Sequence, residues 1–144
     1  MTEVFLNGQP YRSEPDVTIL QAARQAGIAI PTLCSDSRLG VIGSCRICCV
    51  DVDGDAHPQI ACHTKIREGM RIETHSKAIE AYRREILALL AAHVTPKSFA
   101  AEPDKELHRM MRAYSIAPGA DLVTRSPRQP LWCVRITACE RDER

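Results

Sequence analysis

Apolar and polar positions alternate at the start of the chain. Thr2 to Leu6 reads as a short strand, Asn7-Gly8 as a tight turn and Gln9 to Ser13 as the returning strand, because Asn-Gly supplies the positive φ angles that a two-residue hairpin turn requires. The period then changes. Thr18 is placed to cap a helix and Gln21 to complete a capping box, with Ile19, Ala22, Ala23 and Ala26 forming a narrow apolar face before Gly27. So short a helix must lie against a sheet, and its alanines permit close approach. Alternation returns over Ile47 to Val52, Asp53-Gly54 reads as a second hairpin turn, and Ala56 to Ala61 as the partner strand. After the turn at Glu68-Gly69, Met70 to Thr74 predicts a closing strand with Met70, Ile72 and Thr74 on one face and Arg71 and Glu73 on the other.

Beyond residue 76 the pattern is helical. Ile79, Tyr82, Ile86, Leu89, Leu90 and His93 fall on one stripe of a helix from Lys77 to about His93, with Lys77, Glu80, Arg83, Arg84 and Glu85 assigned to the wet side. Pro96 is expected to end it. A second helix is predicted from about Asp104 to Tyr114, packing through Leu107, Met110, Met111 and Tyr114. From Ile116 onward, Pro118-Gly119 and the prolines at 127 and 130 predict an irregular tail, with a short strand possible over Trp132 to Cys139.

Composition narrows the function classes. Lys and Arg number 19 against 18 Asp and Glu, so no global charge favours nucleic acid or an anionic membrane surface. No apolar run approaches the roughly 18 residues of a membrane helix, and no signal-peptide pattern opens the chain, so a cytoplasmic location is expected. Seven cysteines in 144 residues is a high and odd count, which in a reducing compartment points to thiolate ligands rather than a disulfide scaffold.

Four of the cysteines are spaced for that role: Cys34, ten residues, Cys45, two residues, Cys48, thirteen residues, Cys62. Thiolates select zinc, copper(I) or iron-sulfur clusters. A four-cysteine zinc site ordinarily uses two Cys-x2-Cys knuckles, whereas this stretch has one, flanked by single distant thiols, which resembles the layout of a plant-type 2Fe-2S site. Gly40 and Gly43 give the first loop freedom to bend and bring backbone N–H groups toward an anionic cluster. Cys49 adjoins Cys48, and neighbouring strand residues face opposite ways. The Cys45–Cys48 spacing assigns Cys48 to the site and Cys49 to the core, with Cys49 in place of Cys48 as the alternative. The five histidines share no spacing that defines a catalytic or zinc centre, and no c-type haem signature or Gly-x-Gly-x-x-Gly is present.

Pro31-Thr-Leu-Cys34, Gly43-Ser-Cys-Arg-Ile-Cys48, Ala61-Cys62 and Arg67-Glu-Gly-Met-Arg-Ile-Glu-Thr74 together resemble the N-terminal 2Fe-2S domain of the large iron-sulfur subunit of respiratory complex I. The same module opens the catalytic subunits of NAD-dependent formate dehydrogenases and the small diaphorase subunit of NAD-reducing hydrogenases. The resemblance implies an α+β, beta-grasp ferredoxin-like fold with a helical C-terminal extension. It divides the chain into a 2Fe-2S domain over 1–76, an extension over 77–116 and a tail over 117–144. It implies one 2Fe-2S cluster on Cys34, Cys45, Cys48 and Cys62, and one-electron transfer as a small subunit or carrier of an NAD-linked oxidoreductase. The chain would be non-catalytic alone, serving a flavin- and NAD-binding subunit or a molybdenum or tungsten formate dehydrogenase-like or hydrogenase-like one. The competing reading is a zinc-stabilised interaction module.

In those families the helix after the first domain leads to a 4Fe-4S cluster held by one His and three Cys. His93 stands where the His belongs, but the family spacing then reaches Lys97, Ala100 and Glu106, and no cysteine occurs between Cys62 and Cys133. No 4Fe-4S cluster is therefore expected. Cys133 and Cys139 faintly resemble the start of a further ferredoxin domain, with too few thiols to bind its cluster.

Overall fold

The computed structural model describes residues 1–36 and 40–119. The opening hairpin forms as expected from strands β1 (Thr2–Leu6) and β2 (Gln9–Ser13), paired antiparallel. Asn7 and Gly8 turn between them at φ 50° and 79°, the left-handed pair of a type I′ turn whose twist suits the flanking strands. Helix α1 spans Ile19–Gln25 and carries the full Thr18/Gln21 capping box.

A two-stranded ribbon, β3 (Ser35–Asp36) with β4 (Gly40–Val41), follows α1. Next come β5 (Cys49–Val52), β6 (Gln59–Ile60) and β7 (Arg71–Glu73). Both strands of the second hairpin are shorter than expected. Residues 46–48 and 61–63 leave the ladder to form turns, so Cys48 and Cys62 sit on turns beside the strand ends rather than on the strands. The Asp53-Gly54 turn between β5 and β6 has φ 55° and 75°.

The five-stranded sheet has the order β2-β1-β7-β5-β6, with β1 and β7 parallel and the other pairs antiparallel. This mixed sheet crossed by one helix is a beta-grasp-like topology, and with the helices that follow it makes the protein α+β. Val4, Leu6, Val50, Val52 and Ile72 pack with Ile19, Leu20, Ala22 and Ala23 of α1 in one core. Met70, Ile72 and Thr74 are buried and Arg71 and Glu73 exposed, as the alternation predicts.

Helix α2 (Lys77–Ala91), capped by Ser76, packs against β5. Cys49 points to the face opposite Val50 and Val52, because side chains alternate along a strand. The buried line of α2 differs from the expected stripe: Ile79, Arg83, Leu87 and Ala91 are buried, Leu89 and His93 are exposed, and Tyr82, Ile86 and Leu90 are half-buried. The helix is thus rotated so that Arg83, assigned to solvent by its charge, faces inward.

Helix α2 stops at Ala91, short of Pro96 as expected, but Pro96 opens a further helix that the pattern did not predict. It occupies the first turn of α3 (Pro96–Ala101), capped by the Thr95 hydroxyl, a position where the missing N–H has no intrahelical partner to lose. Helix α4 (Glu106–Ala113) begins two residues later than expected and buries His108 and Met111. The possible strand at Trp132 to Cys139 lies outside the described residues.

Candidate metal centre

The thiol loop is built on unusual backbone at three points. Gly40, Gly43 and Arg46 have φ of 83°, 71° and 58°. A Cβ added at Gly40 or Gly43 would meet no atom within 4 Å, so these positions require the left-handed backbone rather than space for a neighbour. Arg46 adopts the same region without being glycine, at the head of a turn closed by the Cys49 N–H donating to the Arg46 carbonyl at 3.2 Å.

The second half of the site is fixed by α1. The Ile19 and Leu20 N–H groups, which have no partner within the helix, donate to the Thr64 and Ala61 carbonyls at 2.9 Å each. The Ala61 N–H donates in turn to the Cys48 carbonyl at 3.1 Å. Cys62 is therefore held between the start of the helix and the Cys48 turn, and both thiols are buried in the main core.

Electrostatics link all four sequence-selected cysteines. Burial raises the Cys34 thiol, but hydrogen bonds from Cys45 and Ser44, backbone and side chain, outweigh it and bring the group from 9.0 to about 7. One of these is the Cys45 N–H on Cys34 Sγ at 3.5 Å. Burial raises Cys45, opposed by the Ile47 N–H, while its hydrogen bond with the Cys34 thiol raises it further. Cys62 is pushed up to about 12, first by burial, then by its hydrogen bond to Cys48 and by the charges of Cys48, Cys34 and Cys45. The Cys45 N–H thus ties Cys34 to Cys45, while Cys62 feels all three other thiols and Cys48 most strongly. Among the described residues, no group of three or more His, Cys, Asp or Glu side chains converges closely enough to hold a single ion.

Cys49 belongs elsewhere. Its thiol is raised by burial and opposed by the Arg83 guanidinium, which also hydrogen-bonds to it. Arg83 itself is 0% exposed; its Nε donates to the Ile47 carbonyl at 3.2 Å, its Nη2 to the Cys49 carbonyl at 2.8 Å and its Nη1 to Glu80 at 2.8 Å. This residue was missed in the sequence, where no local signal distinguishes it from Arg84 beside it. His93 is exposed and is not brought to the thiols, and Cys133 and Cys139 lie outside the described residues.

A groove lined by Thr18, Leu20, Arg24, Gly40 and Val41 runs past buried Cys62. Beside it, Val41 and Ile42 expose apolar side chains to solvent. Four thiols, with main-chain N–H donors on the Cys34 and Cys45 sulfurs and an open edge alongside, suit an anionic sulfur-ligated group.

Residues 1–77 match the family described as "2Fe-2S iron-sulfur cluster binding domain". The chain is similar to NADPH-Fe(3+) oxidoreductase subunit alpha of Geobacter sulfurreducens, 33% identical over 90 residues, which are 62% of this chain and 11% of that protein. It is also similar to the mitochondrial NADH dehydrogenase [ubiquinone] iron-sulfur protein 1 of Solanum tuberosum, 35% identical over 88 residues, or 61% of this chain and 12% of that one. The chain therefore spans about a tenth of the length of these relatives. Among solved structures it resembles a chain of an NAD+-reducing [NiFe]-hydrogenase in the H2-reduced state, with TM-score 0.73 and 28% identity, covering 82% of this chain and 50% of that one. That share is too large to lie within residues 1–77, so the likeness reaches into the helices. The fold, the thiol loop and the match over residues 1–77 agree: the chain belongs to the 2Fe-2S iron-sulfur cluster binding domain family and is related to subunits of NAD-linked oxidoreductases and hydrogenases.

Proposed function

We propose that Cys34, Cys45, Cys48 and Cys62 hold one 2Fe-2S cluster and that the chain passes single electrons between partner proteins of an NAD-linked oxidoreductase. The observation that carries this reading is that the fold brings the four spaced thiols into mutual contact and influence, with the Cys45 N–H on Cys34 Sγ and with Cys62 raised first by burial, then by Cys48 ahead of Cys34 and Cys45. A two-iron cluster bound by four cysteines takes two thiolates at each iron, whereas one tetrahedral zinc ion needs four donors around a single point. When bound, such a cluster supplies one-electron exchange. The protein's own part is to present four thiolates, to direct the Cys45, Ser44 and Ile47 N–H groups at the Cys34 and Cys45 sulfurs, and to exclude water from the Cys48 and Cys62 side.

In this reading residues 1–76 form the redox domain and 77–116 an extension bound to it. The partners are a flavin- and NAD-binding subunit, or a molybdenum or tungsten formate dehydrogenase-like or hydrogenase-like one, working in the cytoplasm. Among the described residues no helix is long and apolar enough to cross a membrane. The open edge at Val41 and Ile42, beside the Cys62 groove, is the natural approach for either partner.

Anaerobic purification of the full chain tests the assignment. About two irons and two sulfides per chain are expected, with a rhombic EPR signal on one-electron reduction. One equivalent of zinc without iron or sulfide would establish the interaction-module reading instead.

A further inference from the structure

Charged side chains are almost never fully buried unless they are paired, and Arg83 is the largest fully buried side chain in the described protein. Its partners explain its position. Between Arg46 and Cys49 every carbonyl is engaged: Arg46 by the Cys49 N–H, Cys48 by the Ala61 N–H, and Ile47 and Cys49 by Arg83. Buried main-chain carbonyls require such partners. The two that the Arg46 turn and the Ala61 N–H leave over are the two flanking Cys48, and one guanidinium on α2 satisfies both. A planar fork can do this because its donors are fixed in one plane at different edges, which an ammonium cannot reproduce.

The charge matters as well as the geometry. Arg83 is held at the Ile47 and Cys49 carbonyls on either side of Cys48, with its Nη1 on Glu80, whose side chain is 37% exposed and also accepts from the Tyr114 hydroxyl at 2.7 Å. The positive charge is thus buried while its counter-charge sits toward solvent. A buried cation favours whichever state of a neighbouring centre carries more negative charge, and the reduced state carries one more electron.

We propose that Arg83 is a positioning residue for the thiol loop and a determinant of the potential of the centre bound there, clamping the carbonyls on either side of Cys48 and setting a partly compensated positive charge at them. The proposal rests on Cys48 being a ligand, as assigned above. It makes α2 part of the redox site: the extension both holds the loop and favours electron uptake.

Three variants of the full-length holoprotein test this, R83Q, R83K and E80Q, each measured by equilibrium redox titration followed by EPR and by the rate of iron loss to a chelator. R83Q should make reduction about tenfold less favourable, a midpoint about 59 mV more negative. E80Q removes the counter-charge and should move the midpoint the other way. R83K should keep the midpoint near that of the unsubstituted protein yet lose iron several-fold faster, because lysine restores the charge without the fork. If R83Q cannot be isolated with its cluster, the upward shift in E80Q and the split behaviour of R83K still decide the matter. Midpoints that do not move, or that move in the same direction in R83Q and E80Q, overturn the proposal for Arg83 while leaving the cluster in place. Absence of iron and sulfide from the unsubstituted protein would instead remove the cluster reading, and the Arg83 proposal with it.

Discussion

The sheet-bearing half of the chain and its helical extension are held together by different forces. Residues 1–74 surround one contiguous apolar core that includes Val4, Leu6, Ile19, Val50, Val52 and Ile72. Among the described residues the extension has a small cluster of its own, Ala91, Val94 and Met111, with Phe99, Leu107 and Ile116 packed around it. Polar contacts add to this cluster and to Ile79 and Leu87, which α2 also buries. Arg84 donates to the Tyr114 carbonyl at 2.6 Å, Tyr114 donates to Glu80, and Arg112 donates to the Pro103 and Phe99 carbonyls at 2.8 and 2.9 Å. Arg112 also stacks 4.3 Å from the Phe99 ring centroid, and Phe99 meets His108 edge-on at 5.3 Å. Apolar burial is non-directional and tolerates small shifts, whereas hydrogen bonds fail when one partner is lost. The two halves should therefore respond differently to single substitutions, and Arg83 marks where they are joined.

Ligand substitution should separate them most sharply. Cys34→Ser, Cys45→Ser, Cys48→Ser and Cys62→Ser are each expected to abolish the normal 2Fe-2S spectrum, measured by visible absorbance and EPR after anaerobic reconstitution. Cys49→Ser should retain it, because the Cys49 thiol faces Arg83. Cys133→Ser and Cys139→Ser, outside the described residues, are expected to retain it as well. Retention in Cys48→Ser with loss in Cys49→Ser would reverse the assignment and place the cluster on the α2 side of the sheet.

Truncation in the main core comes next. Ile72 is 1% exposed in the closing strand β7, and Leu/Ile→Ala changes at such sites cost about 2–5 kcal/mol through lost transfer energy and a residual cavity. Urea unfolding of Ile72→Ala should show that loss as a lower midpoint. A cost below about 1 kcal/mol would mean that the sheet is less closely packed than its burial indicates.

The half held by apolar burial was also the more legible half. Asn7-Gly8 and Asp53-Gly54 announce their hairpins because two adjacent residues fix the turn, and Thr18 with Gln21 announces α1 because the capping box spans four residues. The Met70, Ile72, Thr74 face could be read because burial alternates with sequence. The extension was read less well for a physical reason. Arg83 is drawn inward by carbonyls 34 and 36 residues away, a cause that no periodicity within α2 can encode. Rotating a helix by one position turns it about 100°, enough to exchange its apolar line for the neighbouring one. Pro96 lies beyond the end of α2 as expected, yet α3 is not legible from it, because the residue that blocks a helix interior is well tolerated in a first turn and only the Thr95 cap distinguishes the cases. At the site itself, cysteine spacing selected the four candidate thiols, but spacing could not show that the Cys45 N–H ties Cys34 to Cys45 or that Cys62 feels Cys48 ahead of Cys34 and Cys45. That coupling depends on the Arg46 turn and on α1 holding Ala61.

The smallest expected effect probes the join most selectively. Tyr114→Phe removes one hydroxyl, which is hydrogen-bonded to Glu80 at 2.7 Å, and leaves the ring beneath the Arg84 guanidinium at 5.8 Å. Bonds to charged groups contribute about 1.5–3 kcal/mol when fully protected, and the partial exposure of Glu80 lowers the expectation to roughly 1 kcal/mol. The loss should be local. Amide exchange should quicken in α4 and the last turns of α2, while β1, β5 and β7 keep their protection, because their stability comes from a core that Tyr114 does not enter. Equal loss of protection in both halves would show that the extension and the sheet unfold as one unit. In that case the Glu80–Arg83 contact is the route by which the extension stabilises the sheet, rather than a boundary between two regions that open independently.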